Sequence, residues 1–392
     1  MKINWICILL ILFFSCKEKK YPTDSFWNQF EIIANYEIHN GDSVLICDMN
    51  NVKQRAIIPL NLLVEDLQVL KIDNSNDDAL ISLGARICKT KNYIGAFALG
   101  IYPFKLYDKG GRFIRHIGRL GQGPGEYKAI CDVVMDEENN RIYFLTMISD
   151  KILVYDFEGN SLPSIPMPER IIYGGRLAVD AKDKLLRIAN PITPVSVNFV
   201  WIQDFNGNII QKVEKKDYFP EDIMTEDIIS TCHTENIDLF PFWGNNSKFY
   251  LYHYDISTNR LIPRIMIKNL SDNIFIYELP NHYIAEMAIS ERDRKDSRSQ
   301  KVIIEKKTGR GCLLEGFLTP MGFIWDSYGM LSQMSNGYFL WHEFSSDIEV
   351  LLSRVKEENI SEESNKNLNS LKKIINSGEE DCSLVFMGKF KK

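Results

Sequence analysis

The side chains able to do chemistry are numerous in this chain but scattered. The six histidines, His39, His116, His233, His253, His282 and His342, show no His-x-His or His-x-x-x-His spacing. A metal site would therefore have to be assembled from ligands far apart in sequence. No Gly-x-Ser-x-Gly elbow is present, and no Ser/His/Asp set can be ordered by context. Carboxylates are plentiful, but a glycosidase needs two across a gap of about 5 to 10 Å, which sequence spacing does not fix. The run Gly121-Gln122-Gly123-Pro124-Gly125 has the glycine density of a phosphate loop. It lacks the Gly-Lys-Ser/Thr ending, and Pro124 removes a backbone donor. A tight crossing between strands explains it better, and no cofactor is implied.

Two other sets merit attention. Asp132 and Arg176 fall at matching points of two successive repeats. Side by side at the mouth of a channel they would bind a polar ligand, although pairing with each other is the plainer reading. Arg119, Glu126 and Tyr127 flank the glycine run and are candidate rim residues, although Tyr127 is more often a packing residue between blades.

The N-terminus carries the sharpest local signal. Met1-Lys2 precedes an apolar run from Ile3 to Phe14, followed by Ser15-Cys16 and the polar Lys17-Glu18-Lys19-Lys20. A charged start, a short apolar core and a small residue before the break describe an export signal. The run is too short to span a bilayer, which takes about 20 residues. Phe13-Phe14-Ser15-Cys16 fits a lipobox, in which the signal is cleaved and Cys16 is acylated. Residues 1–15 are thus assigned to the signal and 16–40 to an anchor and linker. The later cysteines, Cys47, Cys88, Cys131, Cys232, Cys312 and Cys382, stand singly without metal-ligand spacing. They read as small buried side chains, with disulfide pairing left open.

What must position all these residues is a repeat. Leu106-Tyr107-Asp108-Lys109-Gly110-Gly111 matches Val154-Tyr155-Asp156-Phe157-Glu158-Gly159 and Ile202-Gln203-Asp204-Phe205-Asn206-Gly207, so the final glycines recur every 48 residues. Weaker copies lie at Tyr254–Asn259 and Glu305–Gly309, and an outlying one at Cys47–Val52. Each copy is a hairpin turn in which Asp bonds backbone N–H groups and Gly supplies a positive φ. A second strand pair sits inside each period, such as Asp132–Asp136 with Arg141–Leu145, or Leu177–Asp180 with Leu185–Ile188. Four short strands in about 40–50 residues make one propeller blade. The expectation is an all-β fold over residues 41–392, a six-bladed β-propeller of four-stranded antiparallel blades with small helical insertions. Those insertions are a loop with a short helix at 217–236 and an amphipathic helix at 361–376. The last strand, 383–390, should close the ring beside strands from near the N-terminus.

The run from Gly111 through Gly118-Arg119-Leu120-Gly121-Gln122-Gly123-Pro124-Gly125-Glu126-Tyr127 resembles the signature of the six-bladed β-propeller lipoproteins common in Bacteroidetes, akin in blade design to NHL-repeat propellers. The resemblance covers residues 67–392 and is strongest over 104–167. That family usually carries Asn-Pro in its tail, where this chain has Cys382-Ser383. The resemblance implies an exported, membrane-anchored propeller of the cell envelope, lipid-anchored to the outer membrane, and brings no assigned chemistry.

Charge and composition narrow the partners. A net charge of −6 without a basic block argues against nucleic acid. The reading that follows is a non-enzymatic binding or scaffold lipoprotein for a glycan, a peptide or an envelope protein, held to the membrane by its lipid. The alternatives are a channel-centred hydrolase or lyase acting on extracellular polymer, with or without a metal, and a docking subunit of an outer-membrane uptake complex.

Overall fold

The computed structural model describes residues 23–82, 84–98, 102–191, 193, 195–218, 228–230, 237–239, 250–269, 274–287, 300–325, 337–356, 358, 360–377 and 381–392. The signal segment, Cys16, Cys232, His233 and most of the loop expected over 217–236 lie outside the described residues.

Six antiparallel sheets form a ring, a six-bladed β-propeller. Blade 1 consists of Arg86–Lys89, Tyr93–Phe97, Phe104–Asp108 and Phe113–Ile117. Blade 2 consists of Ile130–Asp136, Arg141–Thr146, Ser149–Tyr155 and Ser161–Ile171. Blade 3 runs through Arg176–Asp180, Leu185–Ala189, Asn198–Asp204 and Ile209–Glu214. Blade 4 holds Ile228–Ser230, Ile237–Leu239, Tyr250–Asp255 and Arg260–Lys268, and blade 5 holds Ile274–Glu278, His282–Met287, Gln300–Glu305 and Gly311–Leu318. Blade 6 joins Tyr338–Phe344 and Ser383–Phe390 to Val64–Lys71, so both ends of the chain share one sheet. The first strands of blades 1, 2 and 3 pack on one another around the centre. The face where they begin is called upper here, and the face where they end lower.

The repeated turns are built as their sequence dictates. Asp108 Oδ1 accepts from the N–H groups of Gly110 and Arg112 at 2.9 and 3.0 Å. Asp204 does the same for Asn206 and Asn208, both at 2.8 Å. Gly111, Gly159 and Gly207 adopt φ of 81°, 88° and 88°, the left-handed region the turn demands.

The outlying copy at Cys47–Val52 is not a blade turn. Asp48 does accept from Asn50 N–H at 2.9 Å, but the residues after it form a short 3-10 turn rather than a returning strand. The strand before it, Asp42–Asp48, pairs with Ala34–His39 through an Asn40-Gly41 turn. This hairpin lies in parallel register along the outer edge of blade 4, Leu45 opposite Ile265. Arg55–Pro59 is added to the outer strand of blade 5 in the same way. The sixth blade instead takes its N-terminal strand from Val64–Lys71, where alternating apolar residues were not matched to the repeat. Residues 34–39, assigned above to the linker, are therefore sheet, and the helix α1, Thr23–Trp27, packs its Trp27 ring 4.7 Å from that of His282.

Two further helices are inserted between Tyr338–Phe344 and Ser383–Phe390: α2, Ser345–Leu352, and α3, Glu362–Ile375. Ser361 caps α3 by accepting from Ser364 N–H at 3.1 Å. The expected apolar stripe docks as predicted, with Leu368, Leu371 and Ile375 buried and Ile374 packed beside them. They join the largest core cluster, centred on Trp325, whose ring lies 5.1 Å from Trp341 and 4.8 Å from Phe386. Each such buried aromatic contributes roughly 1.5–3 kcal/mol.

Gly309 is where the N-terminal segment is seated. Its carbonyl accepts from Ile33 and Ala34 N–H at 2.9 and 3.0 Å, its φ is 66°, and a Cβ there would overlap the Ala34 carbonyl oxygen. Gly309→Ala should therefore lower stability by at least ~2 kcal/mol, combining left-handed strain with displacement of the segment. Denaturant unfolding checks this, and a midpoint equal to that of the parent protein would refute it.

Candidate functional site

Asp132 and Arg176 meet at the upper end of the central strands. Asp132 belongs to the first strand of blade 2, and Arg176 opens that of blade 3. The Asp132 carboxylate reaches across the blade boundary and accepts from Leu177 N–H at 2.9 Å. Burial raises its pKa, while the charges of Arg176 and Arg86 and the Leu177 N–H pull the other way. Asp132 as a whole residue is half-buried, with its carboxylate turned inward. Arg176 donates to the Gly175 carbonyl at 2.9 Å. Arg86, the first residue of blade 1's central strand, donates to the Cys131 carbonyl at 3.3 Å.

Three consecutive blades thus contribute Arg86, Asp132 and Arg176 to one charged arc. The sequence reading found the last two and missed the first. The Arg86–Lys89 strand is short and the spacing before Gly111 departs from the later 48 residues, so the repeat does not point to Arg86 as it does to Asp132 and Arg176.

The residues flanking the glycine run have mainly structural roles. Arg119–Leu120 and Glu126–Tyr127 form a two-residue parallel bridge on the crossing from blade 1 to blade 2. Tyr127 is buried; its hydroxyl donates to the Ile117 carbonyl and accepts from Phe104 N–H, both at 3.0 Å. Glu126 Oε2 accepts from Gly123 N–H at 2.8 Å, and its carboxylate packs against Gly121 and Gly123. The chain's own carboxylate thus takes up the Gly123 N–H of the loop. Arg119 is exposed.

Other ionisable groups are buried between blades. Asp238, wholly buried in blade 4, accepts from or shares a proton with His253 Nδ1 at 2.7 Å. Burial raises its pKa, and the His253 contact opposes the rise. Glu278 of blade 5 faces the same boundary, with Lys306 against it and Arg264 at 3.7 Å. His282 and His342 are each buried, which pushes their pKa values down to about 3 and about 4. Cys47, Cys88, Cys131, Cys312 and Cys382 are buried as free thiols, and burial pushes those of Cys47, Cys131 and Cys312 up to about 12.

This architecture defines a propeller whose central strands present a charged mouth. The chain belongs to the family described as Domain of unknown function (DUF4934), whose sequence pattern matches residues 45–269. Among solved structures it is similar to a Bacteroides fragilis NCTC 9343 protein described as exported. That likeness has a TM-score of 0.57 at 16% identity, covering 88% of this chain and all of the other. Kuenenia stuttgartiensis hydrazine synthase aligns with a TM-score of 0.43 at 9% identity, over 79% of this chain and 88% of that one. The Dos1 propeller aligns with a TM-score of 0.39 at 15% identity, over 62% and 63%. No curated protein matches the chain.

The buried histidines predict how stability responds to acid. His342 titrates near 4 when folded, against an ordinary value of about 6.5, so below pH 6.5 the unfolded chain gains a proton that the folded one refuses. Stability is lost as pH falls through that window. The raised Glu343, near 7, acts in the opposite direction and remains in both proteins compared. In His342→Phe, the stability lost between pH 7 and 4.5 should shrink by about 2 kcal/mol. Denaturant unfolding at both pH values tests this, and identical losses would show that His342 is not held neutral.

Proposed function

We propose that this chain is an exported, lipid-anchored propeller of the cell envelope, NHL-like in blade design, that binds a carboxylate-bearing glycan or peptide without transforming it. The observation that carries the reading is the arc of Arg86, Asp132 and Arg176 at the upper mouth of the channel. Two guanidinium groups flank one carboxyl whose charge is disfavoured by burial. With two guanidinium groups against one carboxyl the local field is positive, and planar guanidinium groups match a carboxylate in two-pronged hydrogen bonds. Ligands of propellers commonly meet such a mouth, where rigid strands from several blades hold side chains in fixed relation. Export and anchoring are supported by the apolar run ending at Ser15-Cys16 and by the likeness to a protein described as exported.

Two experiments test the two halves of the reading. Thermal-shift titration with galacturonate oligomers and with acidic peptides should reveal a ligand that stabilises by ~2.7 kcal/mol at 100 times its dissociation constant. Arg176→Ala and Arg86→Ala should each abolish that shift; a shift left intact in both moves the site away from the mouth. For the anchor, Cys16→Ala should transfer the protein from the membrane to the soluble fraction and remove its labelling by radioactive palmitate. Undiminished labelling of the variant would rule Cys16 out as the acylated residue.

A further inference from the structure

The hairpin that the N-terminal segment adds to blade 4 creates a cleft that the channel mouth does not involve. Asn40 and Gly41 adopt φ of 53° and 92°, the paired positive values of a tight two-residue turn. The tip so formed stands over the outer strands of blade 4 and encloses about 520 Å³. That volume lies within the range of small-ligand sites.

One wall of the cleft carries Tyr250 and Tyr252, two residues apart on one strand and so on the same face, with ring centroids 5.8 Å apart at 51°. His39, from the hairpin, meets the Tyr250 ring edge-on at 6.1 Å, and its Nδ1 lies 3.0 Å from the Tyr250 hydroxyl. The other imidazole nitrogen lies 3.1 Å from Glu37 Oε2. Across the cleft, Arg260 is joined to Asp42 at 2.9 Å. Hairpin and blade thus lock the two tyrosines and the ion pair in fixed relation.

We propose that this cleft is a binding site for a neutral oligosaccharide. Tyrosine offers a flat apolar face with a polar edge, which suits the C–H faces of a sugar ring. The charged groups around it already hold opposite charges: Arg260 has Asp42, and Lys268 lies 3.7 Å from Glu37. A charged ligand would have to disrupt one of these pairs. An uncharged one rich in hydroxyls can hydrogen-bond to the remaining lone pairs and N–H groups while both pairs stay intact. The site is separate from the channel mouth and does not depend on the function assigned there.

The test is a glycan array probed with the purified full-length protein in detergent, followed by calorimetric titration of the retained glycans. Neutral oligosaccharides should be retained, and Tyr250→Ala should weaken their binding at least tenfold. Arg260→Gln, which keeps a planar amide but removes the charge, should also weaken it. Tyr250→Phe keeps the ring and guards against a folding defect; it should retain most of the affinity. Asp132→Ala should leave this binding unchanged, which separates the cleft from the mouth. Retention of acidic glycans or peptides alone, or neutral-glycan binding indifferent to both Tyr250→Ala and Arg260→Gln, overturns the proposal.

Discussion

A sheet assembly that curls into a ring has two loose ends, and everything in this molecule depends on how they are joined. Val64–Lys71 pairs antiparallel with Ser383–Phe390, from Val64 opposite Phe390 to Lys71 opposite Leu384. This pairing satisfies backbone groups that would otherwise form exposed edges. It also fixes the radius of the ring, because blade 6 must meet blade 1 at a set distance. Gly111 shows the fit, since a Cβ at that position would press on the Lys71 carbonyl. The central strands can hold Arg86, Asp132 and Arg176 together only because this closure holds the blades in place.

The ring also accounts for where charge is tolerated. Buried ionisable groups have partners within their own blade, Asp238 with His253 in blade 4 and Glu278 with Lys306 in blade 5, and Glu278 also faces Arg264 across the boundary between them. Such pairs add little to net stability, because the cost of removing water from both charges offsets their attraction. The Glu278–Arg264 contact does penalise a misaligned blade, because it is lost if blades 4 and 5 shift. The mouth differs in that its acid and bases come from three separate blades, on residues that are only half-buried.

Much of this was legible in the sequence. The turns at Asp108, Asp156 and Asp204 declared themselves because one side chain and one glycine do the same local work each time. The closing strand and the stripe of α3 were readable for a similar reason, since alternation and helical spacing are short-range patterns. Asp132 and Arg176 followed from the period. The placement of Ala34–Asp48 and of Arg55–Pro59 did not, because parallel addition to a distant strand leaves no local mark. The copy at Cys47–Val52 shares the Asp-turn chemistry without its topology, so composition alone misread it as a blade. The cleft was invisible for the same reason: His39 and Tyr250 are neighbours only after the hairpin has docked.

The seating of the hairpin Ala34–Asp48 and of Arg55–Pro59 on blades 4 and 5 has a consequence for biogenesis. Tyr36 donates to the Lys306 carbonyl, and Asp42 is bound to Arg260, so this segment finds its partners among residues made much later. Contacts so remote in sequence form slowly, because long loops must close before any contact rewards them. The docking edge of the hairpin, Arg55–Pro59 and the Val64–Lys71 strand must therefore wait for their partners until the later blades exist. Maturation of the protein is thus a late, concerted event, and during that interval its exposed strands depend on whatever protects unfinished chains from sticking to one another.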